Sequence, residues 1–269
     1  MQKELLFHGP ASEVITPFTA DGRIDFALLE EEIEYLITNG ITGVFVNGLA
    51  SEALMFPTEQ RVEAVRRAVK AADGRIPVLG NLIYNSVDMA VDCMKRYEEC
   101  GCGAIIITPP LVYKYTEEGL YRYFAGIAGQ TKLPVYLYNA PETGNKLSPE
   151  LIGRLFSEVP NLWGYKDSTQ DIIHQQTMLR LIGRDRHFEL MAGSDAQSSR
   201  RACWAAWASS ALADLHRSPS CIVGICGAID RGDWETARAM QEKILRVRQA
   251  MKVGPLWRPT NSSANLSAR

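Results

Sequence analysis

Short apolar, β-branched runs alternate with longer amphipathic stretches along most of the chain. Strand-sized runs occur at Val14–Thr16, Gly43–Asn47, Ile76–Gly80, Ala104–Thr108, Val135–Tyr138, Leu162–Lys166 and Glu189–Ala192. Several are almost wholly apolar, which suits parallel strands covered on both faces by helices. Between them lie stretches with helical spacing. Phe26, Leu29, Ile33, Leu36 and Ile37 follow Asp25, an N-cap residue type, and form one apolar face. Ser148-Pro149-Glu150 reads as N-cap, first-turn proline and first-turn acid. Trp234, Ala237, Met240, Ile244 and Val247 make a further stripe. All of these stripes are explained by core packing.

Repeated β-then-α units leave a closed eight-stranded barrel or an open doubly wound sheet. An open nucleotide-binding sheet should carry a glycine-rich turn after its first strand. Pro17-Phe18-Thr19-Ala20-Asp21-Gly22 stands there instead, and neither GxGxxG nor a Walker sequence occurs. The α/β class with a (β/α)₈ TIM barrel is therefore predicted, spanning residues 1–222, with residues 223–269 as a C-terminal helical extension packed on it.

The pattern weakens near the end. Gln197–Cys221 does not read as a seventh helix followed by an eighth strand, and only Ala211-Leu212-Ala213-Asp214-Leu215 offers an apolar strand. After Pro255 the chain turns polar. The C-terminal region is read as disturbed or truncated, by natural divergence or by a shift of reading frame in the gene.

Composition narrows the function. Of 269 residues, 46% are hydrophobic and 22% charged, with a formal net charge of −2, as in ordinary globular proteins. No basic stripe points to nucleic acid. No apolar run is long enough to span a membrane, and the N-terminus lacks a signal-peptide core, so a cytoplasmic location is expected. Six cysteines in a chain of this size read as buried or idle thiols. Cys100-Gly101-Cys102 lacks the second Cys/His pair that a structural zinc site needs, so no metal is expected.

In a barrel, chemistry sits at the carboxyl ends of the strands. Lys166 ends the run Leu162-Trp163-Gly164-Tyr165-Lys166, so its stem starts in apolar surroundings. Desolvation disfavours an ammonium, and attack on a carbonyl requires the neutral amine. Tyr138 ends the preceding strand and is suited to relaying protons beside an amine. Spacing alone leaves a second account open: a rim lysine paired with Asp167 and a packing tyrosine. Gly48 and its neighbours form a turn whose N–H groups suit a carboxylate.

These strand ends resemble those of the pyruvate-dependent aldolases and synthases typified by dihydrodipicolinate synthase and N-acetylneuraminate lyase. The matching segments, in order, are Ile15-Thr16-Pro17-Phe18, Gly48–Glu52, Thr108-Pro109-Pro110, Glu118-Gly119-Leu120, Tyr138-Asn139-x-Pro141-x-Thr143-Gly144, Gly164-x-Lys166-Asp167-Ser168 and Gly193-Ser194-Asp195-Ala196. The resemblance implies a Schiff-base lysine at Lys166, a proton-relay tyrosine at Tyr138 and a pyruvate carboxylate held by the Gly48–Ala50 turn. It also implies no cofactor and a homo-oligomer, dimer or tetramer.

Where the synthases resemble Gly-Thr-Thr-Gly-Glu, this chain has Gly48-Leu49-Ala50-Ser51-Glu52, with Ser51 as the nearby hydroxyl. Tyr113 is the candidate for a tyrosine that the synthases carry two residues earlier. Glu142-Thr143 stands where they carry an arginine for the second substrate's carboxylate. Gly164–Thr169 followed by Asp171-Ile172-Ile173-His174 resembles more closely the 2-keto-3-deoxy sugar acid aldolases. The expected reaction is cleavage of such a sugar acid to pyruvate and an aldehyde. Dihydrodipicolinate synthesis, sugar acid dehydration and a catalytically degenerate binding barrel are the alternatives.

Overall fold

A computed structural model describes residues 5–6, 8–183, 185–203, 208–211 and 219–251; for 200–203, 208–211, 250 and 251 the description is of the backbone. Eight parallel strands close into a barrel in chain order: β1 (Gly9–Glu13), β2 (Gly43–Val46), β3 (Val78–Leu82), β4 (Ala104–Ile107), β5 (Val135–Asn139), β6 (Leu162–Asp167), β7 (Glu189–Ala192) and β8 (Ala208–Ala211). Helices α1 (Phe26–Thr38), α2 (Thr58–Ala72), α3 (Val87–Glu99), α4 (Glu117–Ala128), α5 (Pro149–Glu158) and α6 (Ile172–Ile182) link successive strands. A 3₁₀ segment, Asp195–Cys203, follows β7. Helices α7 (Pro219–Asp230) and α8 (Trp234–Met251) follow β8, and α7 runs unbroken through residues 222 and 223.

The predicted caps form. Asp25 accepts from the Leu28 N–H, and Ser148 accepts from the Leu151 N–H with Pro149 opening α5. The α8 stripe holds in part: Ala237 and Ile244 are buried, whereas Trp234 and Val247 are exposed.

Two strand expectations need correcting. The first strand is Gly9–Glu13, not Val14–Thr16. Apolar Val14 and Ile15 mark where the chain leaves the barrel. The Val14 N–H still donates to the Phe45 carbonyl at 2.9 Å, whereas that of Ile15 turns to the Glu32 carboxylate. The eighth strand is Ala208–Ala211, ahead of the apolar window Ala211–Leu215. It pairs with β1 from Gly9↔Ala208 to Ser12↔Ala211, and with β7 through Met191 and Ala192. A parallel ladder is made by backbone groups, so the small-residue run Ala-Ser-Ser-Ala serves without an apolar pattern. The rest of the expected disturbance, at 204–207, 212–218 and 256–269, lies outside the described residues.

Alternation along each strand separates two apolar layers. Val44, Val46, Ile105, Ile107, Leu137 and Tyr165 face the helices, whereas Ala11, Phe45, Leu79, Ile106, Tyr136, Tyr138 and Met191 fill the barrel. The β5–β6 register carries one irregularity. Val135 pairs with Leu162 but Tyr136 pairs with Gly164, so Trp163 is the extra residue. A bulge of this kind re-aims the side chains beyond it. Leu162 packs with the helix layer and Trp163 against the barrel interior. Beyond the bulge, Tyr138 stands opposite Lys166.

Candidate functional site

Lys166 and Tyr138 are cross-strand partners on the interior face, so their side chains converge where β5 and β6 end. Both are buried, Lys166 at 0% exposure and Tyr138 at 3%. The Lys166 Nζ lies 3.8 Å from the Tyr138 ring centroid and 4.2 Å from that of Phe45, a cation–π setting, and among the described residues it has no hydrogen-bond partner. Its burial removes the rim account suggested by spacing. Asp167 points the other way, as the next residue of a strand must. Its carboxylate accepts from the Thr169 hydroxyl at 2.8 Å and from the Gln175 amide at 2.6 Å.

The charge partner of Lys166 is instead Glu13, the last residue of β1. Its Oε2 lies 3.6 Å from Nζ, with the glutamate 1% exposed. Its Oε1 accepts from the backbone N–H groups of Ala50, at 2.7 Å, and Ser51, at 3.1 Å. The turn that carries these donors is held on every side. Asn47 enters it in the left-handed region, φ 65°, with its side-chain amide donating to the Arg61 carbonyl and to the Tyr97 hydroxyl. The Ser51 hydroxyl donates to the Val14 carbonyl at 2.7 Å, and the Thr16 hydroxyl donates to the Ser51 carbonyl at 2.6 Å. Gly48 is required for space rather than for its φ: a Cβ there would fall 2.1 Å from Glu13 Oε1.

The Ser168 hydroxyl donates to the Tyr138 hydroxyl at 3.4 Å, the long end of a hydrogen bond. Burial raises the Tyr138 phenol above its ordinary value; Lys166 opposes that shift, and Glu13 adds to it. The tyrosine thus holds its proton at neutral pH beside a lysine and a hydroxyl, a set able to add, carry and remove protons around an amine–carbonyl adduct.

The other predicted positions lie on the segments that follow β2, β4 and β5. Gly48, Leu49, Ala50 and Ser51 form the turn, with Leu49 packed against the barrel interior. The Thr143 hydroxyl is buried and donates to the Ala140 carbonyl at 2.9 Å. Tyr113 is 67% exposed, and its carbonyl accepts from the Asn145 amide at 2.8 Å. Cys100 and Cys102 do not converge on a common site. The Cys102 thiol donates to the Ala104 carbonyl, with burial pushing it up to about 12, whereas Cys100 reaches the Val62 carbonyl.

Sequence reasoning missed Glu13, Phe45 and Ser168. Ser168 closes the Gly164-x-Lys166-Asp167-Ser168 motif. Glu13 carried a signal of its own: a lone carboxylate in a buried strand requires a partner. It was hidden because the first strand was expected at Val14–Thr16, five residues later than it starts.

The chain matches the Dihydrodipicolinate synthetase family model over residues 6–267. Among curated proteins it is 29% identical to the 4-hydroxy-tetrahydrodipicolinate synthase of Pseudomonas aeruginosa, over 90% of this chain and 82% of that protein. It is 30% identical to the enzyme of the same name from Nitratidesulfovibrio vulgaris, over 91% and 83%. Among solved structures, dihydrodipicolinate synthase DapA-2 of Bacillus anthracis superposes with a TM-score of 0.90 at 27% identity, covering 97% of this chain and 88% of that one. YagE, a prophage protein of E. coli K12 in complex with pyruvate, superposes with a TM-score of 0.89 at 27% identity, covering 97% and 87%. Fold, ordered strand-end motifs and similarity over nearly the whole length agree, and the chain belongs to the dihydrodipicolinate synthetase family.

Proposed function

We propose that this protein makes or breaks a carbon–carbon bond through an imine between Lys166 and the carbonyl carbon of its substrate, with pyruvate or another 2-oxo acid as the donor to which the relatives point. The observation that carries the reading is the buried Lys166 amine, without a hydrogen-bond partner and flanked by Tyr138 in ladder register at the carboxyl end of the barrel. In the reaction the amine nitrogen bonds to the carbonyl carbon, and the oxygen leaves as water. The imine then withdraws electrons from the neighbouring bond to give an enamine. Tyr138, with Ser168 behind it, carries the protons of these steps. The Gly48–Ser51 turn, Thr143 and Tyr113 are assigned to substrate binding in this reading.

For the second substrate, two readings rest on different observations. The names of the curated relatives support the synthase direction, in which the enamine adds to an aldehyde. This reading stands ahead of the sugar acid cleavage suggested by the segment around Lys166. Cleavage keeps support from Glu142-Thr143, which replaces an arginine with an acid where a second carboxylate would bind and disfavours an anionic aldehyde. Self-association into a dimer or tetramer goes with the same family reading, although a monomeric variant of a dihydrodipicolinate synthase has been solved.

Borohydride trapping with pyruvate, read by intact mass and peptide mapping, tests the imine. A reduced adduct on the Lys166 peptide, absent in Lys166→Ala, is expected. Folded protein with no adduct overturns the imine and leaves a binding barrel. A coupled assay over aspartate semialdehyde and sugar acids then separates synthesis from cleavage.

A further inference from the structure

The turn expected to hold a substrate's carboxylate already holds one. Glu13 Oε1 accepts from Ala50 and Ser51, and Oε2 faces the Lys166 amine. The arrangement is built rather than incidental. Glu13 is 1% exposed, and Gly48 lacks the Cβ that would collide with its oxygen.

We propose that Glu13 is a specificity-determining residue, a resident carboxylate standing where a substrate's own carboxylate would bind. A 2-oxo acid then enters only in competition with Glu13, whereas a carbonyl compound with no carboxylate on its carbonyl carbon does not. The inference rests on the Lys166 imine proposed above and concerns what else the imine carbon carries.

Two physical arguments support it. The first is occupancy: two N–H donors aimed at one carboxylate oxygen leave no equivalent place for a second anion. The second is charge. An iminium at Lys166 beside the Glu13 carboxylate is balanced. A substrate carboxylate adds an unpaired negative charge in a buried site, which low dielectric penalises. Glu13 can itself supply the negative charge beside the iminium that a 2-oxo acid would otherwise bring.

The test is cyanoborohydride trapping at Lys166, followed by intact mass over a concentration series, with pyruvate and with hydroxyacetone. It is run on the intact protein, on Glu13→Ala and on Glu13→Gln. The readout is the half-saturation concentration for pyruvate divided by that for hydroxyacetone. In Glu13→Ala the ratio should fall by about tenfold or more, the size of one charge-assisted hydrogen bond. In Glu13→Gln, which keeps an acceptor in the turn but removes the charge, it should fall by a smaller factor. Should Glu13→Ala not fold, a fall of roughly threefold or more in Glu13→Gln supports the inference on the charge argument alone. Pyruvate trapped with an unchanged ratio in every folded variant overturns this inference and leaves the imine standing. No adduct with either compound on the folded parent protein overturns the imine and this inference together.

Discussion

Two glutamates are buried inside the barrel, one near each end, and they are held in different ways. Glu189 opens β7 at the amino-terminal end. Its carboxylate accepts from the Tyr136 hydroxyl at 2.5 Å and from the Leu6 N–H at 3.1 Å, and the His187 ring lies 2.8 Å away. Glu13 closes β1 at the carboxyl end, held by two N–H groups of one turn and facing a lysine amine with no hydrogen-bond partner. The first cluster joins donors from several elements and fills the barrel floor. Gly164 is part of that floor: a Cβ there would meet the Tyr136 ring at 2.2 Å. The second cluster keeps a nucleophile within reach of a carboxylate. Similar residue types thus serve packing at one end and are available for chemistry at the other, and the difference lies in which groups surround each carboxylate.

The two tyrosines test this division most strongly. Tyr138→Phe should lower turnover by about 10²–10⁴-fold, the range for a lost general acid or base, with a melting temperature close to that of the parent. A variant within twofold of parental turnover would remove Tyr138 from the relay. Tyr136→Phe should do the reverse. Losing the donor to a buried carboxylate should destabilise the fold by roughly 1–3 kcal/mol, read by urea or thermal unfolding, with imine trapping at Lys166 retained. If trapping disappears while the protein stays folded, the floor and the upper site are not separate.

The smallest expected effect is one of order in alkaline titration. Burial raises both phenols and a carboxylate adds to each, Glu189 at Tyr136 and Glu13 at Tyr138, but at Tyr138 alone Lys166 and Ser168 oppose the shift. Ultraviolet titration of the two Phe variants should therefore show Tyr138 ionising at lower pH than Tyr136. Burial likewise pushes Tyr84 up to about 12. A buried phenol keeps its proton after the unfolded chain has lost its own near pH 10. Its stabilisation is complete below that pH and is lost as pH rises through the folded values. Unfolding titrations from pH 9 to 12 should show stability falling in that window, and a flat profile would contradict the burial of these groups.

Much of the barrel was legible because both faces of a parallel strand are covered. Runs such as Ala104-Ile105-Ile106-Ile107 announce themselves by composition, and β7 falls at Glu189–Ala192 as expected. The first and last strands were not legible, for a common reason. Gly-Pro-Ala-Ser-Glu and Ala-Ser-Ser-Ala pair with each other and contain almost no large apolar residue. Hydrophobicity reports burial of bulk, and this seam of the barrel is made of small side chains and backbone ladder. The pairing of Lys166 with Tyr138 could be expected from adjacent strand ends. The Glu13 contact could not, because it joins positions separated by most of the barrel's circumference in sequence and is set by closure of the sheet.

The extra residue at Trp163 has a consequence for how such a protein can lose its chemistry. Beyond it, Tyr138 and Lys166 stand opposite each other in the register that the bulge sets. Drawing Trp163 into the ladder as an ordinary paired residue would leave every recognisable motif intact as a string. Yet that one-residue slip would turn the lysine from the barrel's interior towards its helices. The information that brings the two side chains together thus lies in the register, and a comparison that scores residues without their pairing would pass over its loss.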